Sequence, residues 1–71
     1  MVYVSHAWFN AITDLANRLQ SRGFTSTRGF DSTTKRYELV TDAPRWEVES
    51  IIYGGNLPRG LLEKVYVIEG E

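Results

Sequence analysis

The sequence predicts a single small α+β domain, in which an antiparallel sheet carries one or two helices on one face. Three observations support this fold class: an amphipathic helix near the N-terminus, strand-like segments on both sides of it, and a length of only 71 residues. The predicted elements follow the order β-α-β-β-α-β, which is that of the ferredoxin-like fold. A chain of this length buries about 60% of its unfolded surface, so we expect one compact core spanning residues 1–71.

The clearest predicted element is a helix over residues 7–22. Ser5 is placed to act as its N-cap, and Gly23 stands where helices commonly end in a left-handed conformation. Phe24 would then fold back onto the last turn. One face of this helix is apolar at intervals of three and four residues, and it consists of Trp8, Ala11, Ile12, Leu15, Ala16 and Leu19.

Strands are predicted before and after this helix. The segment "MVYVS" at residues 1–5 alternates as a short strand does. Residues 24–41 predict a β-hairpin, because two stretches rich in β-branched and aromatic residues flank the turn-prone run "DSTT". A last strand is predicted in "KVYVIEG", residues 64–70.

The conformation of "RWEVESIIYGGN", residues 45–56, is left open between helix and strand. A helix is favoured by Asp42 as a cap, by Pro44 in the first turn, and by the glycine pair as a stop. A strand is compatible with the run of β-branched and aromatic residues that starts at Trp46, and it would leave one helix on a larger sheet. Trp46 itself is either part of the core or part of a binding surface.

If residues 45–53 are helical, two helices cover one face of the sheet. The predicted core then consists of Val2, Val4, Leu39, Val65 and Val67 from the strands, with Trp8, Ile12, Leu15, Leu19, Val48, Ile51 and Ile52 from the helices. The residues expected on the opposite, uncovered face are Tyr3, Tyr66 and Ile68.

The charge is nearly balanced overall but not along the chain. The net charge is −1, while residues 1–36 carry +3 and residues 37–71 carry −4. Such bipolar charge favours oriented association with a partner protein or with a second copy of the chain. A homodimer is therefore kept as an alternative. The chain has no cysteine, no leader-like apolar stretch and no run of about 20 apolar residues. We therefore expect a cytoplasmic protein that does not enter a membrane.

The sequence offers no recognisable catalytic or metal-binding set. His6 is the single histidine, and we expect it on the surface beside the start of the first helix. A general base needs an orienting partner and a nucleophile, and the sequence identifies neither. Glu47 and Glu49 would point apart on a helix. We therefore expect no enzyme activity, no cofactor and no metal.

Two binding surfaces follow from the residue types. The first is a protein-binding surface, because Trp, Tyr and Arg dominate interface hot spots. Its residues are Arg45, Trp46, Glu47, Glu49 and Tyr53. The alternative is nucleic-acid binding on the open sheet face, where tyrosines would stack on bases and basic residues would hold phosphates. Its residues are Tyr3, Tyr66, Arg28, Lys35 and Arg36.

Residues 36–68 resemble the small phage-encoded inhibitors of uracil-DNA glycosylase. The run "RYELVTDAPRWEVESIIYGGNLPRGLLEKVYVI" is similar to the strand, helix, Tyr-Gly-Asn turn and final strand of the smallest of these inhibitors. The resemblance implies contacts through Trp46, Glu47 and Tyr53, and a phage or mobile-element protein that inhibits a host enzyme or nucleic-acid-processing complex. The run "ESI" at residues 49–51 also resembles an edge-strand motif of a second inhibitor family, which would require a strand here.

Overall fold

The computed structural model describes residues 1–54 and 66–70, and it has the predicted α+β architecture. Within these residues the elements are, in order, β1 (Val2–His6), α1 (Phe9–Ser21), β2 (Ser26–Asp31), β3 (Arg36–Thr41), α2 (Arg45–Tyr53) and β4 (Val67–Gly70). The described strands form one antiparallel sheet in the order β2-β3-β1-β4. The ferredoxin-like order β-α-β-β-α-β is therefore confirmed.

The apolar stripe of α1 is confirmed, but the predicted start of the helix is wrong. Ser5 cannot act as the N-cap, because it lies inside β1 and pairs with Glu38. The helix begins only after the strand has ended, so Trp8 takes the N-cap position in an extended conformation with φ of −107°. Trp8 is consequently 63% exposed instead of lying in the core.

The predicted end of α1 is confirmed. Gly23 has a φ of +90°. Its N–H donates to the carbonyl of Gln20 at 3.0 Å, and the N–H of Phe24 donates to the carbonyl of Leu19 at 3.1 Å. This pair of hydrogen bonds is the Schellman arrangement, which satisfies carbonyls that the helix end leaves unpaired. Phe24 folds back and packs against the core, as expected.

The β-hairpin formed by β2 and β3 is also confirmed. Its strands pair from Ser26 opposite Thr41 to Asp31 opposite Arg36. In the turn, Oδ1 of Asp31 accepts the backbone N–H of Thr33 at 2.8 Å. A short polar side chain that binds backbone groups two residues ahead is a typical turn former.

Residues 45–53 form a helix, so the strand interpretation of this segment is wrong. Asp42 does not cap this helix, because its Oδ1 accepts the N–H of Thr25 at 2.9 Å. Pro44 is the N-cap, and its carbonyl accepts the N–H of Glu47 at 3.0 Å. The helix ends at Tyr53, and the N–H of its C-cap residue Gly54 donates to the carbonyl of Ser50 at 2.8 Å.

The pairing register of β4 with β1 places the side chains of the last strand on the faces opposite to those predicted. Residues directly opposite each other in an antiparallel pair point to the same face. Val4 lies opposite Ile68, so Ile68 shares the helix-covered face with Val4. Tyr66 also packs against the core, while Val67 is 43% exposed on the other face. The predictions for these three residues are wrong, and Val65 lies outside the described residues.

The core lies between the helices and one face of the sheet. Its buried residues are Val2, Val4, Ile12, Leu15, Ala16, Leu19, Leu39, Ala43, Val48, Ile51 and Ile52. The predicted contributions of the first strand, of Leu39 and of the two helices, apart from Trp8, are thereby confirmed.

Candidate functional site

Trp46 and Tyr53 lie on the side of α2 that points away from the core. They are seven residues apart, which places them within about 20° of each other around the helix axis. Val48, Ile51 and Ile52 are buried on the opposite side of the same helix. Trp46 is 67% exposed and Tyr53 is 41% exposed. The interpretation of Trp46 as a core residue is therefore wrong.

Two charged residues border this aromatic pair. Arg45 Nε donates to Glu49 Oε1 at 2.7 Å, one helical turn along α2. Arg45 Nη1 also donates to the carbonyl of Gly70 at 3.4 Å, which connects α2 to the end of β4. Glu49 lies within about 60° of Trp46 and about 40° of Tyr53 around the helix axis. We call Arg45, Trp46, Glu49 and Tyr53 the α2 outer face.

Glu47 does not belong to the α2 outer face. It lies on the flank of α2 that faces α1, where its Oε2 is 2.7 Å from Nη1 of Arg22. Only 15% of the Glu47 side chain is exposed. Trp46, Glu49 and Tyr53 therefore share the outer side of α2, and Arg45 joins them through its ion pair with Glu49. Glu47 instead connects the start of α2 to the end of α1.

The five residues of the nucleic-acid alternative do not share a surface. Tyr3 and Arg36 lie on the open face of the sheet, as the register of β1 and β3 requires. Arg28 lies on the helix-covered face, where its Nη1 donates to Thr13 Oγ1 at 3.1 Å. Lys35 lies in the β2–β3 turn with a φ of +60°. Tyr66 is turned into the core, so the paired-tyrosine platform predicted for bases is wrong.

The open sheet face is acidic in the part of the chain that the structure describes. Burial raises the pKa of Tyr3, and the carboxylates of Glu38, Asp31 and Glu69 raise it further. Arg36 is the basic residue that the described strands place on this face, and its Nε donates to Ser5 Oγ at 3.0 Å. Three carboxylates against one guanidinium would repel a phosphate backbone.

His6 is buried, so its predicted surface position is wrong. It is 2% exposed at the end of β1, and its ring centroid lies 4.5 Å from that of Tyr66. The Nδ1 atom accepts the backbone N–H of Trp8 at 2.8 Å. Because a backbone N–H can only donate, Nδ1 must carry a lone pair and the ring is neutral. Burial lowers the pKa of His6, and the nearby charge of Arg36 lowers it further.

Phe9, Phe30 and Tyr37 form an aromatic cluster that the sequence analysis did not identify. The ring centroid of Tyr37 lies 5.4 Å from that of Phe9 and 4.8 Å from that of Phe30. They line an open groove of about 610 Å³ between α1 and β2. Phe9 lies three residues before Ile12 and seven before Ala16, at the edge of the apolar stripe of α1, and this spacing was the available signal.

Comparisons with protein families, curated proteins and solved structures found no match to this chain. Within residues 1–54 and 66–70, no three His, Cys, Asp or Glu side chains are grouped so that they could hold a metal ion. In the same residues, no helix has both the length and the apolar character needed to cross a bilayer.

Proposed function

We propose that this protein is a non-enzymatic binding module that presents the α2 outer face to a protein partner. The observation that carries the proposal is the position of Trp46, which is 67% exposed opposite the buried stripe of α2. A large aromatic side chain on a helix surface leaves apolar area in water, and covering it with a partner recovers that free energy.

The composition of the α2 outer face supports protein recognition. Tryptophan, tyrosine and arginine are the residue types in which interface hot spots are enriched. Trp46 and Tyr53 supply an apolar centre, while Arg45 and Glu49 supply a polar rim. This combination of apolar centre and polar rim is the usual anatomy of a specific interface.

The face is also held in place before any partner binds. The Arg22–Glu47 ion pair fastens α2 to α1, and the Arg45–Gly70 hydrogen bond connects it to β4. A surface that is already ordered loses less conformational entropy on binding, which favours affinity.

Within this function we favour an inhibitor of a host enzyme or nucleic-acid-processing complex, of the phage or mobile-element type. The resemblance to uracil-DNA glycosylase inhibitors implies a helix at this segment, and α2 is a helix. It also implies contacts through Trp46, Glu47 and Tyr53. For Glu47 to contact an enzyme, its ion pair with Arg22 would have to open. The cytoplasm is the expected compartment, since a chain without cysteine suits a reducing environment.

The test is inhibition of purified bacterial uracil-DNA glycosylase acting on a uracil-containing oligonucleotide. We expect near-stoichiometric inhibition by the wild type and none by the double variant Trp46→Ala/Tyr53→Ala. The matched control is Trp8→Ala, because Trp8 is 63% exposed at a site distant in sequence. Trp8→Ala should inhibit as the wild type does. The absence of inhibition at large molar excess would remove this enzyme as the target.

A pulldown from bacterial lysate tests the binding function whatever the target is. The wild type should retain one stoichiometric protein that the double variant loses and that Trp8→Ala keeps. Retention of that protein by the double variant, with its circular dichroism unchanged, would show that the α2 outer face is not the binding surface.

Nucleic-acid binding has no observation in its favour. Tyr66 faces the core, Arg28 lies on the helix-covered side, and the described part of the open face is acidic. We therefore expect no binding of a labelled single-stranded oligonucleotide in fluorescence anisotropy at low salt, where phosphate contacts are strongest.

A further inference from the structure

The edge strand β2 is the longest unpaired strand edge among the described residues. It pairs with β3 on one side, and the described sheet ends there. Residues 27–30 are all exposed. An edge strand presents unpaired backbone N–H and C=O groups, which form a template for pairing with another strand. The groove of about 610 Å³ lies directly beside this edge, between β2 and α1.

We propose that β2 pairs in antiparallel fashion with β2 of a second copy, with Gly29 on the two-fold axis. A two-fold axis perpendicular to the sheet joins the two described sheets into one and keeps both helix layers on the same side. In this register Arg28 of one copy lies opposite Phe30 of the other. On the open face, Thr27 lies opposite Asp31 of the other copy. Each pairing occurs twice.

The side chains of β2 select this register over its neighbours. A shift by one residue would place the helices of the two copies on opposite sides, which the two-fold symmetry excludes. A shift by two residues in one direction would bring Arg28 against Arg28, a like-charge pair that destabilises a sheet. The shift in the other direction would leave only the three central pairs around Phe30. Pairing centred on Gly29 retains five pairs without a charge conflict.

The groove beside β2 accommodates the incoming side chain. Phe30 is 51% exposed, and the second copy would place its own Phe30 on the helix side next to Arg28. The guanidinium of Arg28 is held there by its bond to Thr13 Oγ1 at 3.1 Å. A guanidinium over an aromatic face is a favourable contact, and the ring also covers apolar groove surface.

The absence of native cysteine makes disulfide trapping a direct test. A Cβ atom added at Gly29 would meet no atom within 4 Å, and the backbone φ there is not positive, so Gly29→Cys should fold. At the two-fold axis the two Cα atoms would be about 4.5–5.5 Å apart, within the range that disulfides span. Mild oxidation should therefore convert Gly29→Cys largely into a covalent dimer.

The control is Thr27→Cys, at a residue that is also exposed on the same strand. In the proposed register its two copies lie about 13 Å apart along the strands, too far to be bridged. Thr27→Cys should stay monomeric on a non-reducing gel. If it cross-links as fast as Gly29→Cys, the proposed register is wrong.

Sedimentation equilibrium of the unmodified protein provides the second measurement. We expect a reversible species of twice the 8.1 kDa chain mass. Arg28→Gln should weaken dimerisation about tenfold, since two cation–π contacts are lost. A monomer at all concentrations would overturn the proposal. Trp46→Ala should dimerise as the wild type does, so this result and the test of the α2 outer face are independent.

Discussion

Because Trp46 is exposed, we expect that replacing its side chain by alanine leaves the fold almost unchanged. Trp46→Ala deletes the largest side chain of α2, yet that residue is 67% exposed. Ile52 on the same helix is 3% exposed and provides the matched comparison. The two variants remove side chains of the same helix, one from the solvent side and one from the core. They therefore separate a binding residue from a structural one.

The expected magnitudes follow from the buried area. About a third of an aromatic side chain of ~200 Å² is covered at Trp46, which corresponds to at most about 1.7 kcal/mol at 25 cal/mol per Å². Alanine recovers about 0.5 kcal/mol through its higher helix propensity. Trp46→Ala should therefore lower the free energy of unfolding by about 1 kcal/mol or less, whereas Ile52→Ala should lower it by about 2–5 kcal/mol.

These changes are large enough to distinguish in a domain of this size. A chain of 71 residues has a free energy of unfolding of roughly 4–10 kcal/mol. Urea unfolding followed by far-UV circular dichroism measures the change without relying on tryptophan fluorescence. A shift of the Trp46→Ala midpoint as large as that of Ile52→Ala would mean that Trp46 is a core residue. Trp46 would then no longer belong to the α2 outer face.

Three further tests address the rest of the structure. Because the pKa of His6 is lowered on folding, the unfolded chain binds the proton first. The free energy of unfolding should therefore be highest above about pH 6.5 and fall as the pH drops below it, and His6→Asn should flatten this part of a urea-midpoint series. Gly23→Ala should cost about 1–2 kcal/mol, because Gly23 has a φ of +90°. Gly29→Ala should hardly change the free energy of unfolding, because a Cβ atom at Gly29 meets no atom within 4 Å. Equal effects of the two alanine substitutions would contradict the positive φ of Gly23. The ion pair between Arg22 and Glu47 is partly exposed, so a double-mutant cycle with glutamine should give a coupling of up to about 1 kcal/mol. Additive effects would show that the pair does not fasten α2.

Local patterns were sufficient to predict α1 and the hairpin. The stripe containing Ile12, Leu15 and Leu19 has only one arrangement that buries it, which is a helix against a core. Gly23 marks the helix end because a positive φ is strained for any residue with a Cβ atom. These features depend on near neighbours in sequence, so no tertiary information was needed to find them.

The candidate site was predicted in its residues but not in its geometry. The α2 segment satisfied helix and strand patterns alike, and its exposed aromatics could not be distinguished from core residues by type. Packing decided the question, because Val48, Ile51 and Ile52 occupy the side of α2 that is buried in the core. That leaves Trp46 and Tyr53 on the opposite side. Glu47 is turned away from the other site residues because it pairs with Arg22 at the end of α1. Arg22 lies 25 residues away in sequence, so no local pattern could show this contact.

By itself the sequence determined the fold class, the β-hairpin and the apolar stripe of α1, and it predicted a set of candidate partner-binding residues. The tertiary structure alone decided which face each aromatic residue occupies. The segment "VYVI" is apolar on both sides, so alternation cannot choose between Tyr66 and Val67 as the inward residue. The pairing of Val4 with Ile68 makes that choice, since opposite residues of an antiparallel pair share a face. Likewise, Trp8 became a surface residue because β1 continues to His6 and delays the start of α1.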